Sequence, residues 1–203
     1  MKYKWLNQKN NTKLILFFNG WGMDEGVVSQ LQPEDYDVLM FYDYNSLNTN
    51  FDFSELAKYF SKNLVAWSMG VMIATLFDIN YELKTAINGT LKPIDDNYGI
   101  PQKIYNLTIR NFSPEGCKKF MKNMYLENIE LPIINRDFES QKSELSALLG
   151  YQAKEDFKYN KIIISSKDKI IPTKNQIAFW GLESNIHSGH APFNHFQKWS
   201  ELL

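Results

Sequence analysis

Apolar residues recur along this chain in short unbroken runs, each closed by a turn. The first is Leu14-Ile15-Leu16-Phe17-Phe18, running into Asn19-Gly20-Trp21-Gly22. Others are Asp37 to Tyr42, Leu64 to Trp67, Thr85 to Ile87 and Lys161 to Ser165. Runs of this length without polar alternation read as strands covered on both faces. Helical stretches lie between them, and that alternation predicts a mainly parallel sheet flanked by helices. A short helix is expected over Glu25 to Leu31, stopped by Pro33, and another capped by Ser54 with Leu56, Tyr59 and Phe60 on one face. The segment Val71 to Phe77 is apolar nearly all round and should be buried. Between about 91 and 160 strand runs give way to loops and helices. Ser113-Pro114-Glu115 starts one helix, and Asp137 caps another that holds Leu145, Leu148 and Leu149 and ends at Gly150. This stretch is expected to be a helical lid inserted into a single domain spanning 1–203. A weak strand near Asn185 to His187 and a closing helix from Pro192, with Phe193, Phe196 and Trp199 on one face, complete the pattern.

The strand Leu64–Trp67 runs directly into Ser68-Met69-Gly70. A serine at a sharp strand-to-helix turn stands exposed above the sheet, and small residues on either side let strand and helix approach. The common form is G-x-S-x-G, with Ala66 here in place of the first glycine. A hydroxyl is a poor nucleophile without a base. The histidines His187, His190 and His195 all lie near the C-terminus, as the serine, acid, histidine order of α/β-hydrolases requires. His190, in the loop Ser188-Gly189-His190-Ala191-Pro192, is the expected base; His187 sits at a strand end and His195 inside an aromatic helix. Asp168, after a strand and a short turn, is the expected acid, with Glu183 as the alternative. Backbone N–H groups must also hold the oxyanion of an acyl intermediate. Met69, after the serine, and Trp21, in the glycine-rich turn, are the expected donors, and the Trp21 ring is a candidate pocket wall.

Composition narrows the class rather than the chemistry. With 203 residues, 44% hydrophobic and 22% charged, the chain can build a sizeable core. A net charge of −1 argues against nucleic acid as the main partner. Cys117 is the only cysteine, so no internal disulfide forms and a reducing compartment fits; it reads as a small apolar helix residue rather than a nucleophile. The N-terminus carries no apolar signal segment and no run spans a bilayer, so a cytoplasmic, membrane-free protein is expected. No metal motif and no phosphate-binding glycine loop is visible, so neither a metal nor a cofactor is expected.

The chain resembles the pimeloyl-acyl-carrier-protein methyl ester esterases of the BioG type over nearly its whole length. The resemblance rests on Phe18-Asn19-Gly20-Trp21-Gly22, Tyr42-Asp43-Tyr44, Val65 to Gly70, Ala86-Ile87-Asn88-Gly89-Thr90, Tyr98-Gly99-Ile100-Pro101, Ser165 to Ile170, Gly189-His190 and Phe196 to Ser200. It implies an α/β-hydrolase fold with a helical lid, the triad Ser68, His190 and Asp168, and an oxyanion hole from Trp21 and Met69. It also implies hydrolysis of the methyl ester of pimeloyl-acyl carrier protein to methanol and the free acid, in biotin precursor synthesis. An apolar acyl chain calls for an apolar tunnel, with Phe112, Phe120, Met121, Met124 and Leu145 as lining candidates and Trp21, Phe120 and Met124 as substrate-binding residues. An acidic carrier protein calls for a basic rim, and Arg110, Lys118, Lys119, Lys122 and Arg136 are the docking candidates. A general small-substrate carboxylesterase or thioesterase is the alternative enzyme, and an inactive hydrolase-fold binding protein the alternative of another class.

Overall fold

The computed structural model describes residues 1–126 and 129–203. Its centre is a six-stranded sheet of order β1-β3-β2-β4-β5-β6. The parallel strands are β2 (Lys13–Phe18), β3 (Tyr36–Tyr42), β4 (Ser61–Trp67), β5 (Lys84–Ile87) and β6 (Lys161–Ile163). Beyond polar residues at their amino-terminal ends, their runs are apolar because both sheet faces are covered. On one face Leu14, Leu16, Phe18, Leu39, Phe41, Leu64 and Ala66 join one core cluster. Their neighbours in the chain, Ile15, Phe17, Val38, Met40, Val65 and Trp67, fill a second cluster on the other face.

The antiparallel edge strand β1 (Lys2–Asn7) was not foreseen from the pattern. Three of its residues are exposed and three half-buried, so it has no unbroken apolar run to signal it. Serine 54 is not the cap of its helix: Asp52 accepts the Ser54 N–H and caps a 3₁₀ helix over Phe53–Lys58, leaving Phe60 92% exposed. After Ser68 the buried segment forms a short α1 (Gly70–Ile73) continued by a 3₁₀ turn.

Three helices occupy the insertion: α2 (Gln102–Arg110), α3 (Pro114–Asn123) and α4 (Phe138–Leu148). Residues 127 and 128, within it, lie outside the described residues. Ser113 and Asp137 cap α3 and α4 as expected, while Leu149 is half-exposed rather than internal. Beyond β6, α5 (Thr173–Trp180) precedes an isolated bridge at Ile186 in place of the weak strand. The closing helix is replaced by two 3₁₀ turns, Phe193–His195 and Trp199–Leu202, with extended backbone at Phe196. Phe193 and Trp199 are spaced to pack edge-on against Phe17 of the sheet, not to share a helix stripe.

Register places the carboxyl ends of β2, β4, β5 and β6 side by side: Phe18 pairs with Ala66, Trp67 with Ile87, and Ile87 with Ile163. Ligand sites of open parallel sheets lie beyond such ends.

Candidate active site

The turn after β4 holds Ser68 at φ 56°, in the left-handed region that a side chain enters only at a cost. The neighbouring chain leaves no slack around it. A Cβ at Gly70 would lie 2.2 Å from the Phe18 carbonyl oxygen, and one at Gly20 would lie 2.9 Å from the Trp67 ring. Glycine at both positions lets the turns after β2 and β4 touch, which brings Trp21 and Ser68 to one cavity.

Ser68 Oγ is 2.9 Å from His190 Nε2, and His190 Nδ1 is 2.8 Å from Asp168 Oδ2. All three residues are buried. The Asp168 carboxylate accepts from every side: Ile170 N–H and Ile171 N–H on Oδ1, His190 and the Gln176 amide on Oδ2. With Oδ2 taking an imidazole proton on Nδ1, Nε2 is left as the acceptor for the Ser68 hydroxyl.

His190 is placed through its backbone. Its carbonyl accepts from the Trp67 indole N–H at 2.8 Å and from the Asn88 amide at 2.9 Å. Asn88 also donates to Gly189 O and Ser165 Oγ, and its own oxygen accepts Ser165 N–H. One buried side chain therefore spans the histidine loop and the strand end that leads to Asp168. Gly189 is needed where it stands, because a Cβ there would lie 2.5 Å from the Met124 carbonyl, which itself accepts Ala191 N–H.

Ser68 and His190 open on a cavity of about 380 Å³, within the usual range for small-molecule sites. Trp21, Phe112, Phe120, Met124 and Leu145 line it, as the sequence suggested. Met121 does not; it faces a neighbouring hollow with Pro114 and Pro132. Much of the apolar wall comes instead from α2, through Ile104, Tyr105 and Leu107. Exposed Asn111, Lys119 and Lys169 also line the cavity, so it opens to solvent between α2, α3 and the loop after Asp168. The N–H groups of Trp21 and Met69 make no hydrogen bond among the described residues. Cys117 also borders this space, and burial pushes its thiol above the ordinary value, away from a reactive thiolate.

The other candidates fall outside. His187 is exposed beside Ser166, and His195 and Glu183 are exposed. Arg110, Lys118, Lys119 and Lys122 are exposed on α2 and α3. Arg136 is not available to a partner: its side chain is 3% exposed and paired with Asp43 and Glu144. Nothing in the one-dimensional pattern separates it from the exposed basic residues. Asn88 and Gln176 also had no assigned role; the signals for Asn88 are a polar residue just past a buried strand and its place in the family-like segment Ala86 to Thr90.

Several solved hydrolases share this architecture at low identity. A putative aryl esterase from Burkholderia cenocepacia superposes with a TM-score of 0.64 at 14% identity, covering 94% of this chain and 87% of that one. The crystal structure of BioG from Haemophilus influenzae superposes with a TM-score of 0.87 at 34% identity, covering 100% of this chain and 99% of that chain. An uncharacterized protein of Haemophilus influenzae is 36% identical over 93% of both chains. A Bacteroides fragilis protein named malonyl-[acyl-carrier protein] O-methyltransferase is 41% identical over 82% of this chain, which spans only 36% of that protein. The family model described as pimeloyl-ACP methyl esterase BioG matches residues 1–202, and the chain belongs to that family.

Proposed function

We propose that this protein hydrolyses the methyl ester of a pimeloyl chain carried on acyl carrier protein, using Ser68 as nucleophile. The observation that carries this reading is the hydrogen-bonded line from Ser68 Oγ through His190 to Asp168, at 2.9 and 2.8 Å, ending in an apolar cavity. His190 takes the Ser68 proton as the oxygen attacks the ester carbonyl, and Asp168 stabilises the imidazolium. The N–H groups of Trp21 and Met69, without a hydrogen bond among the described residues, receive the oxyanion. Methanol leaves with the proton from His190. Water then attacks the acyl-enzyme with His190 again as base, which releases the free carboxylate and restores Ser68.

Size fixes the direction of entry. A carrier protein cannot pass into a cavity of this volume, so its thioester stays at the mouth and the methyl ester reaches Ser68. The helices α2 to α4 act as the lid over this path, within one domain. The exposed Arg110, Lys118, Lys119 and Lys122 supply a basic rim for an acidic carrier protein. A methyl ester of a carrier-bound acid has to be made by methyl transfer to a carboxylate, and the Bacteroides fragilis relative is named for a reaction of that class. Among the described residues no helix is long and apolar enough to cross a membrane, which fits a cytoplasmic site of action.

The test is methanol release from methyl pimeloyl-acyl carrier protein by the purified protein and its Ser68→Ala variant. A fall in turnover of about 10⁴-fold or more is expected. A variant retaining most of the rate would remove Ser68 from the mechanism. A wild-type protein that hydrolyses small esters but not the carrier-bound one would leave a general carboxylesterase.

A further inference from the structure

Glu144 is a carboxylate with no exposure at all, one turn from the end of α4. Its Oε1 accepts Tyr44 N–H at 2.8 Å, and its Oε2 accepts Arg136 Nη2 at 2.9 Å and Gly22 N–H at 3.3 Å. Arg136 reaches on to the Met23 carbonyl and to Asp43, which Lys2 pairs from the surface. Four charges of zero net sign thus meet behind the turn after β2. Burying such a pair is costly, and apolar replacements of buried pairs are often neutral or stabilising. The cost is raised further because the buried Arg136 Nε–H has no partner among the described residues. Burial also raises Glu144 above the ordinary carboxylate range against the pull of Arg136.

What the pair holds explains its place. The turn Gly20 to Met23 has one backbone bond of its own, Met23 N–H to Gly20 O, at a long 3.4 Å. Apart from Gly20 N–H on the Asn19 side-chain oxygen, its other bonds come from Arg136 and α4. Glu144 takes Gly22 N–H, Arg136 donates to Met23 O, and Gln141 both donates to Gly22 O at 2.9 Å and accepts the Trp21 indole N–H at 2.8 Å. The Gly20 carbonyl and both the N–H and the carbonyl of Gly22 are engaged, whereas Trp21 N–H makes no hydrogen bond among the described residues. We infer that the buried Arg136–Glu144 pair positions the oxyanion-binding turn, with Glu144 fixing the Trp21–Gly22 peptide so that Trp21 N–H stays directed at the reacting carbonyl. A lone carboxylate behind this turn would repel the developing oxyanion, and Arg136 cancels that charge. Glu144 is a positioning residue that never meets substrate, and α4 is a clamp on the turn as well as a cover. The inference rests on the Ser68 reading above.

The experiment compares wild type with Glu144→Gln, which keeps shape but turns one acceptor into a donor, facing either both Gly22 N–H and Arg136 or, with the amide reversed, Tyr44 N–H. On a small methyl ester, kcat is expected to fall about 10²-fold, as when an oxyanion donor is lost, with KM unchanged. Affinity for an alkyl boronic acid, whose adduct on Ser68 carries the tetrahedral oxyanion, should fall by the same factor. Affinity for an unreactive ether analogue should stay constant. A merely structural role would lower neither quantity in the protein that remains folded. If Glu144→Gln does not fold, Gln141→Met decides: it removes the hold on Gly22 O, and kcat should fall roughly fivefold to tenfold at constant KM. Unchanged kcat and boronate affinity in the folded variant overturn the inference. Activity surviving in Ser68→Ala would overturn the underlying reading instead.

Discussion

Replacing Asn88 by glycine removes a side chain that spans two loops of the site. Asn88 sits at φ 44°, so glycine keeps the backbone without strain, whereas alanine would add some. Four hydrogen bonds disappear: to Ser165 Oγ, Gly189 O and His190 O, and from Ser165 N–H. The His190 carbonyl retains the Trp67 indole, but the Gly189 carbonyl, Ser165 N–H and Ser165 Oγ lose their only partners among the described residues. At about 1–3 kcal/mol for each buried unsatisfied group, the three cost about 3–9 kcal/mol. For a domain of this size that is a fall in Tm of about 6–35 °C. The loop that carries His190 then keeps the Trp67 indole and Ala191 N–H on the Met124 carbonyl but loses its tie through Asn88 to Ser165. Displacement of the imidazole by about 1 Å from the Ser68 line lowers kcat about 10²-fold. The assay is initial-rate hydrolysis of a small methyl ester at a temperature where both proteins are folded, with Tm followed by circular dichroism. Asn88→Asp preserves the acceptor for Ser165 N–H but sets a carboxylate oxygen against two carbonyls, and should be at least as damaging. An Asn88→Gly protein with kcat within about twofold of wild type and unchanged Tm would show that the strut holds neither loop.

Two further outcomes follow from the charges. Burial acts to raise the Asp43 carboxyl, but Lys2, Asn45 and Arg136 together outweigh it and bring it down to about 2. A depressed carboxylate stabilises the fold above its unfolded value and loses that contribution as pH falls toward the folded one. Acid unfolding between about pH 4 and pH 2 should therefore be shallower in Asp43→Asn than in wild type, measured as stability against pH at constant salt; equal slopes would refute the assignment. Charge reversal at Lys118 and Lys122 should raise KM for a carrier-bound ester about tenfold at low salt and leave a small ester unaffected, because rim charges act on encounter. Equal effects on both substrates would discard α3 as the docking face.

The strands whose both faces are covered were legible because burial writes itself into composition: β2, β3 and the second half of β4, Leu64 to Trp67, are apolar at nearly every position. The serine turn was legible for the same reason, since Gly70 and the buried segment after it permit only a close strand-to-helix crossing. The edge strand β1 was hidden, because an edge needs no unbroken apolar run. The closing segment was misread as a helix, because spacing alone cannot tell a helical stripe from rings packed singly on Phe17. Which basic residues stay at the surface was also invisible: Arg136 and Lys122 are equivalent in sequence, and only the neighbourhood of Asp43 and Glu144 draws one of them inside.

By itself the order of residues determined the inner strands of the sheet, the Ser68 turn and the three side chains that meet beyond it, because local sterics and periodic burial act over a few residues. The tertiary structure decided how those side chains are held: Asn88 and Trp67 on the His190 loop, Gln176 on Asp168, and Arg136, Gln141 and Glu144 on the turn that leaves Trp21 N–H free. Most of these supports join residues far apart in the chain. Hydrogen bonds of that kind leave no period or local motif behind, since their geometry exists only once the chain has closed on itself.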